Sequence, residues 1–338
     1  MQRIRSLAAP GALALILVAG PLLAQEQGRP YSAGNPLGLP VTPAPDRPFE
    51  AISPNVRVFG AIYSAESCSY DAERGVIVVP NRGVPQNVRA NDGFVSLINH
   101  DGSVHTARWI GVQSAAERAV LTPRLVLNEP FGSDIARGIL YVADRDGGTR
   151  PDEPSVAVIR RFNLRTGAPD GEARIEGVPW INDIEVADDG TTYATQTGDA
   201  ADPASWRVWK VAPDGTASVF AEGAPLRQPN GVALDARGNV VVANMGNTEV
   251  LTFSPAGRLV KTEHAAQPGS DGLVILRDGT KFVSSVTQGG VSRIRPDGST
   301  DLIARNIPSA ASMCHDVAGR QLVIPMNPNN GLAFVPIP

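Results

Sequence analysis

From residue 66 onward, apolar and polar residues alternate with a period of two in short runs, punctuated by Gly, Asp and Asn. That is the signature of β-strands joined by tight turns. Six segments share one form: a small or polar opening, an alternating strand, a turn, and a second apolar strand. They open at Glu66, Phe131, Asn182, Asn230, Asp271 and Ala311, at intervals of 40 to 65 residues. Five are followed by a second turn, at 100–103, 164–167, 213–216, 255–258 and 296–299. Each unit therefore reads as a four-stranded meander, repeated at the period of a propeller blade. The longer intervals are read as insertions, a surface loop at 111–123 and a smaller one at 144–154.

The last unit is one strand short, whereas the apolar stretch 56–63 belongs to no hairpin. We expect that stretch to supply the outer strand of the sixth blade and close the ring, since closure removes exposed sheet edges. The fold class is all-β, a six-bladed β-propeller over 55–338.

Composition fits this reading. The 34 Gly and 29 Pro among 338 residues demand many turns, and 42% hydrophobic residues suffice for a large core. A net charge of −4 lacks the basic footprint of a nucleic-acid binder. Ahead of the repeats, Arg3 and Arg5 precede an uncharged apolar run ending near Ala24, broken by Pro10 and Pro21. Residues 1–24 are read as a signal peptide, too short in their apolar part to span a bilayer, so the expectation is an exported protein, periplasmic or extracellular. Seven prolines make 25–54 an extended arm or linker.

The blade openings should gather at one end of the central tunnel. Four carry oxygen-bearing side chains: Glu66, Asn182, Asn230 and Asp271. Two carboxylates and two amides suit a hard divalent cation, Ca2+ first, with Mg2+, Mn2+ or Zn2+ as alternatives. Each residue also has a plainer reading: Asn230-Gly231 and Asp271-Gly272 are ordinary turn dipeptides, and Glu66 is a solvated strand end. Their shared register in the repeat favours the metal.

Glu66, Ile181-Asn182-Asp183, Pro229-Asn230-Gly231 and Ser270-Asp271-Gly272 resemble the motifs of the senescence-marker-protein, gluconolactonase and regucalcin-like propellers. The resemblance implies a divalent ion at the tunnel mouth and hydrolysis of sugar lactones or related esters. It implies Glu66, Asn230 and Asp271 as ligands, Asn182 as ligand or substrate contact, and Asp271 as base. The family's Arg two residues before the third-blade Asn is here Trp180, and its Glu-Gly-Pro is Glu66-Ser67-Cys68. An indole cannot replace a guanidinium's fork of donors, so a more apolar ester or lactone is expected to meet Trp180. The expected partner is such a small molecule, bound by a monomer with no membrane span. The alternative is a non-catalytic binding propeller with a structural metal.

Cys68 and Cys314 fall on inner strands of blades one and six, neighbours across the closing seam, either bridged or as two separate buried thiols. His100 and His105 are expected in solvent around a hairpin turn, and His315 packed on an inner strand.

Overall fold

The structure is a computed structural model that describes residues 52–337, apart from 61, 84–90, 112–115, 117–119, 123 and 148–152. The signal-peptide reading and nearly all of the Pro-rich arm lie outside the described residues, as does most of the expected 111–123 loop.

Six antiparallel four-stranded sheets form the ring. Blade one comprises β2 (Ser69–Asp71), β3 (Val76–Asn81), β4 (Phe94–Ile98) and β5 (Val104–Gly111). Blade two comprises β6 (Ser133–Ala136), β7 (Ile139–Gly147), β8 (Ser155–Asn163) and β9 (Pro169–Ile175). Blade three has β10 (Ile184–Val186), β11 (Thr192–Gln196), β12 (Arg207–Val211) and β13 (Ala217–Glu222). Blade four has β14 (Pro229–Leu234), β15 (Val240–Asn244), β16 (Glu249–Phe253) and β17 (Leu259–His264). Blade five has β18 (Ser270–Ile275), β19 (Lys281–Ser285), β20 (Val291–Ile294) and β21 (Thr300–Ala304). Blade six takes β22 (Cys314–Asp316), β23 (Gln321–Pro325) and β24 (Leu332–Pro336) from the end of the chain and its outermost strand, β1 (Arg57–Phe59), from the start.

The expected closure is thus present. The ladder is shorter than the apolar stretch, pairing only Arg57, Val58 and Phe59 with Phe334, Ala333 and Leu332. Beyond it the chain leaves the sheet, and the Tyr63 amide donates to Asn81 Oδ1 instead. The last residues of the arm lie on blade five, where Ser53 exchanges hydrogen bonds with the Arg305 backbone.

The period of two acquires its meaning here. Successive side chains of β3 point to opposite sheet faces, and both faces are covered. Val76 and Val78 join the core between blades one and two, while Ile77 and Val79 join the core between blades six and one. All six residues of β3 are consequently buried. The insertion read at 144–154 is in part not a loop: β7 and β8 pair over nine positions, Ile139 with Asn163 through Gly147 with Ser155. Among the described residues, no helix is long and apolar enough to cross a membrane.

Cys68 and Cys314 form a disulfide across the seam, with Cα atoms 5.4 Å apart. Both belong to the core between blades six and one, which explains why the sequence places them on adjoining inner strands. His105 is exposed, and His100 keeps 37% of its side chain open to solvent while its Nδ1 lies 2.7 Å from Asp316 Oδ1 and its ring tilts against Tyr70. The adjacency of blades one and six supplies that partner from 216 residues away.

Candidate metal centre at the tunnel mouth

The innermost strands begin at one end of the ring. Glu66 and Asn182 lie just ahead of β2 and β10, while Asn230 and Asp271 are the second residues of β14 and β18. All four side chains sink below the surface, at 3%, 8%, 2% and 4% exposure respectively. Glu66 is therefore not a solvated strand end.

Nor are Asn230-Gly231 and Asp271-Gly272 turns. They lie within strands, and their glycines serve close packing of one blade against the next. A Cβ on Gly231 would stand 2.3 Å from the Asp271 carbonyl oxygen, and one on Gly272 would stand 2.4 Å from the Met313 amide nitrogen. Blade two repeats the device, with Gly132 against the Asp183 backbone. Hydroxyls from the second strands complete the fastening. Thr195 Oγ1 donates to the Asn230 carbonyl at 2.6 Å, and Ser284 Oγ donates to the Ala311 carbonyl at 2.7 Å.

One oxygen on each of the four candidate ligands is buried without a hydrogen-bond partner: Glu66 Oε2, Asn182 Oδ1, Asn230 Oδ1 and Asp271 Oδ1. An orphaned buried acceptor costs about 1–3 kcal/mol, so four from four blades call for a shared occupant. The Asn182 amide donates through Nδ2 to Thr197 Oγ1, 3.3 Å away, which leaves its carbonyl oxygen free. The carboxyls of Glu66 and Asp271 touch, and burial together with Asp271 raises the Glu66 pKa well above the ordinary carboxylate range. Burial likewise pushes Asp271 up to about 7. A divalent cation would relieve both the orphaned oxygens and this repulsion, so the donor set fits one. Among the described residues, no cluster of three or more His, Cys, Asp or Glu is placed to hold a metal; this centre depends on its two amides.

Beside it stands a wall the sequence only half revealed. Trp180 is half-buried and stacks on Phe131, ring centroids 5.7 Å apart. Phe131 in turn carries the guanidiniums of Arg82 at 4.6 Å and Arg145 at 5.8 Å. Both arginines bind Glu129, Arg82 through Nη2 at 2.8 Å and Arg145 through Nε at 2.7 Å. Blades one and two thus bring two arginines to this wall. Arg82 escaped the sequence reading because its partners lie 47 and 245 residues away and no motif marks it.

Below the centre, the axial cavity of about 300 Å³ contains Asp134, Asp183, Glu185 and His315. Its three carboxylates each accept a backbone N–H from the next blade: Asp134 from Val186, Asp183 from Val232 and Glu185 from Leu234. Burial raises all three pKa values, Asp134 to about 6 and Asp183 to about 8, and lowers that of His315.

No family model matches the sequence, and no curated protein does. Solved structures do share the fold. A putative gluconolactonase is 18% identical with a TM-score of 0.55, over 83% of this chain and 92% of its own. A gluconolactonase of Xanthomonas campestris is 18% identical with a TM-score of 0.57, over 84% and 90%. Virginiamycin B lyase of Staphylococcus aureus, solved with quinupristin, is 11% identical with a TM-score of 0.56, over 84% and 99%.

Proposed function

We propose that this propeller is a metal-dependent hydrolase of a lactone or related ester, acting at the tunnel mouth. The observation that carries the reading is the set of four orphaned, buried oxygens on Glu66, Asn182, Asn230 and Asp271. The gluconolactonase neighbours support the reaction class through the shared fold.

Glu66, Asn182, Asn230 and Asp271 would hold the cation, with Ca2+ the first candidate. When bound, it supplies Lewis acidity toward the carbonyl oxygen and screens the two carboxylates from one another. The Asp271 carboxylate accepts a proton from the attacking water, whose oxygen bonds to the carbonyl carbon. The carbonyl carbon–alkoxy oxygen bond then breaks, and the proton passes to the departing alkoxide. The product is a hydroxy acid from a lactone, or an acid and an alcohol from an ester. Trp180 and Phe131 offer an apolar face to the substrate ring. The disulfide supports a home in an oxidising compartment, in keeping with export to the periplasm or beyond.

The test is hydrolysis of a lactone and ester panel followed by pH-stat, with Ca2+ and with a chelator. Turnover that a chelator abolishes and Ca2+ restores is expected, together with its loss in Asp271→Asn. A flat trace across the panel from folded, Ca2+-loaded protein would sink the hydrolase and leave a binding propeller with a structural ion.

A further inference from the structure

A second recess opens at the mouth, beside the metal centre and on its blade-one flank. Its volume is about 330 Å³, and Tyr63, Ser64, Arg82, Ser309, Asn327 and Asn330 are among its walls. Ala65 bridges to Asn81 and the Arg82 amide donates to the Ser64 carbonyl, which sets Arg82 beside the segment leading into Glu66, near enough for its charge to pull the Glu66 pKa down against the larger effect of burial.

Among the described residues, Arg82 is the single charged one lining this recess, and it is 3% exposed. The cost of burying a guanidinium is met on one side only, where Nη2 donates to Glu129 and the plane lies over Phe131. The rest of its bonding is thin. Nη1 reaches Asn327 Oδ1 at 3.4 Å, at the limit of a hydrogen bond, and Nε is buried with no partner. The other polar walls are neutral amides and hydroxyls, and Tyr63 adds an apolar face. Glu129 holds Arg82 through Oε1 and Arg145 through Oε2. One under-bonded guanidinium among neutral donors matches a planar monoanion, which can accept from two of its N–H groups.

We infer that Arg82 anchors a carboxylate on the substrate, so that the preferred substrate is an acidic lactone or ester bearing a carboxylate away from the scissile bond. The inference deepens the hydrolase reading and rests on it for the position of the reacting carbonyl. Arg82 is a specificity residue: it binds the far end of the substrate and leaves the proton transfers to Asp271. The amide of Asn327 yields its long contact when the carboxylate enters.

The experiment has a kinetic arm and a binding arm, both on Ca2+-loaded protein. The kinetic arm compares 5-oxotetrahydrofuran-2-carboxylate with its carboxamide, in wild type, Arg82→Gln, Arg82→Lys and Asn327→Asp. Wild type is expected to favour the acid in kcat/KM by roughly tenfold to a hundredfold, the value of a charge-assisted hydrogen bond. Arg82→Gln removes the preference chiefly through KM, and Arg82→Lys restores part of it. Asn327→Asp, which leaves Arg82 in place but fills it with a carboxylate, also collapses the ratio. A purely structural role for Arg82 lowers both substrates alike and leaves the ratio unchanged, which overturns the inference.

The binding arm titrates the ring-opened acid, 2-hydroxyglutarate, against wild type and Arg82→Gln by calorimetry. Arg82-dependent binding without hydrolysis of any substrate defeats the hydrolase reading and keeps the anchor. Hydrolysis with no acid preference and no Arg82-dependent binding defeats the anchor and keeps the hydrolase.

Discussion

Reducing Cys68–Cys314 should weaken the protein without unfolding it. The bridge spans 246 residues of sequence. In the chain-entropy description, opening a loop of that length frees the unfolded chain by about 5.5 kcal/mol at 25 °C. Residual compactness of the unfolded ensemble lowers the figure, so about 3–5 kcal/mol is expected. The ring itself survives, because the β1–β24 ladder and the core of Ile77, Val79, Val323 and Phe334 hold blades six and one together independently. Urea denaturation followed by tryptophan fluorescence, with and without a phosphine reductant, measures the effect. The midpoint should fall by about 1–2 M, and the slope should steepen as the reduced chain expands further. A Cys68→Ala/Cys314→Ala double variant should match the reduced protein to within the cost of its small cavities. Equal midpoints for oxidised and reduced protein would refute the reasoning, as would two free thiols per chain in the unfolded, unreduced state.

Three further outcomes are expected. Ca2+ at a hundred times its dissociation constant should stabilise the fold by about 2.7 kcal/mol by mass action, and Glu66→Gln should abolish most of the rise in melting temperature. Gly231→Ala drives a methyl into the Asp271 carbonyl, so it should cost about 2–3 kcal/mol in urea denaturation and weaken calorimetric Ca2+ binding; wild-type behaviour in both would remove the close-packing argument. Burial raises the Asp134 pKa to about 6, within a tunnel shared with Asp183, Glu185 and His315. A carboxyl whose folded pKa exceeds its unfolded value gives its full stabilisation below about pH 4, and loses it as pH rises to about 6. Urea curves should therefore show wild type losing up to about 3 kcal/mol relative to Asp134→Asn between pH 4 and 7, and a constant difference would contradict this.

The repeat was legible because each blade buries both faces, forcing the period of two to recur six times. The orphan stretch ahead of Glu66 was legible for the same reason, since a closed ring leaves no strand unpaired. The four candidate ligands could be chosen because repetition puts equivalent positions at one end of the axis. What single positions cannot reveal is contact across the ring. Gly231 and Gly272 read as turn residues because their real constraint is a neighbouring blade's backbone. The partner of His100 stayed hidden because Asp316 reaches it only once blade six closes. Arg82 follows β3 in an unremarkable stretch, and its surroundings come from Glu129, Phe131 and Asn327. Asp134 and Glu185 were missed because an acid on a short inner strand looks solvent-facing until the tunnel encloses it.

Sharing one blade between the two ends of the chain also means that the ring has no privileged origin. Residues 52 and 337 both border the same sheet, β1 and β24 being hydrogen-bonded neighbours. A circular permutant that joins these ends and opens the exposed turn at 213–216 should retain every blade and every oxygen at the mouth. In that chain Cys68 and Cys314 would be separated by about 40 residues through the new junction. The same bridge would then stabilise the protein by about 1.6 kcal/mol less, through the unfolded state alone.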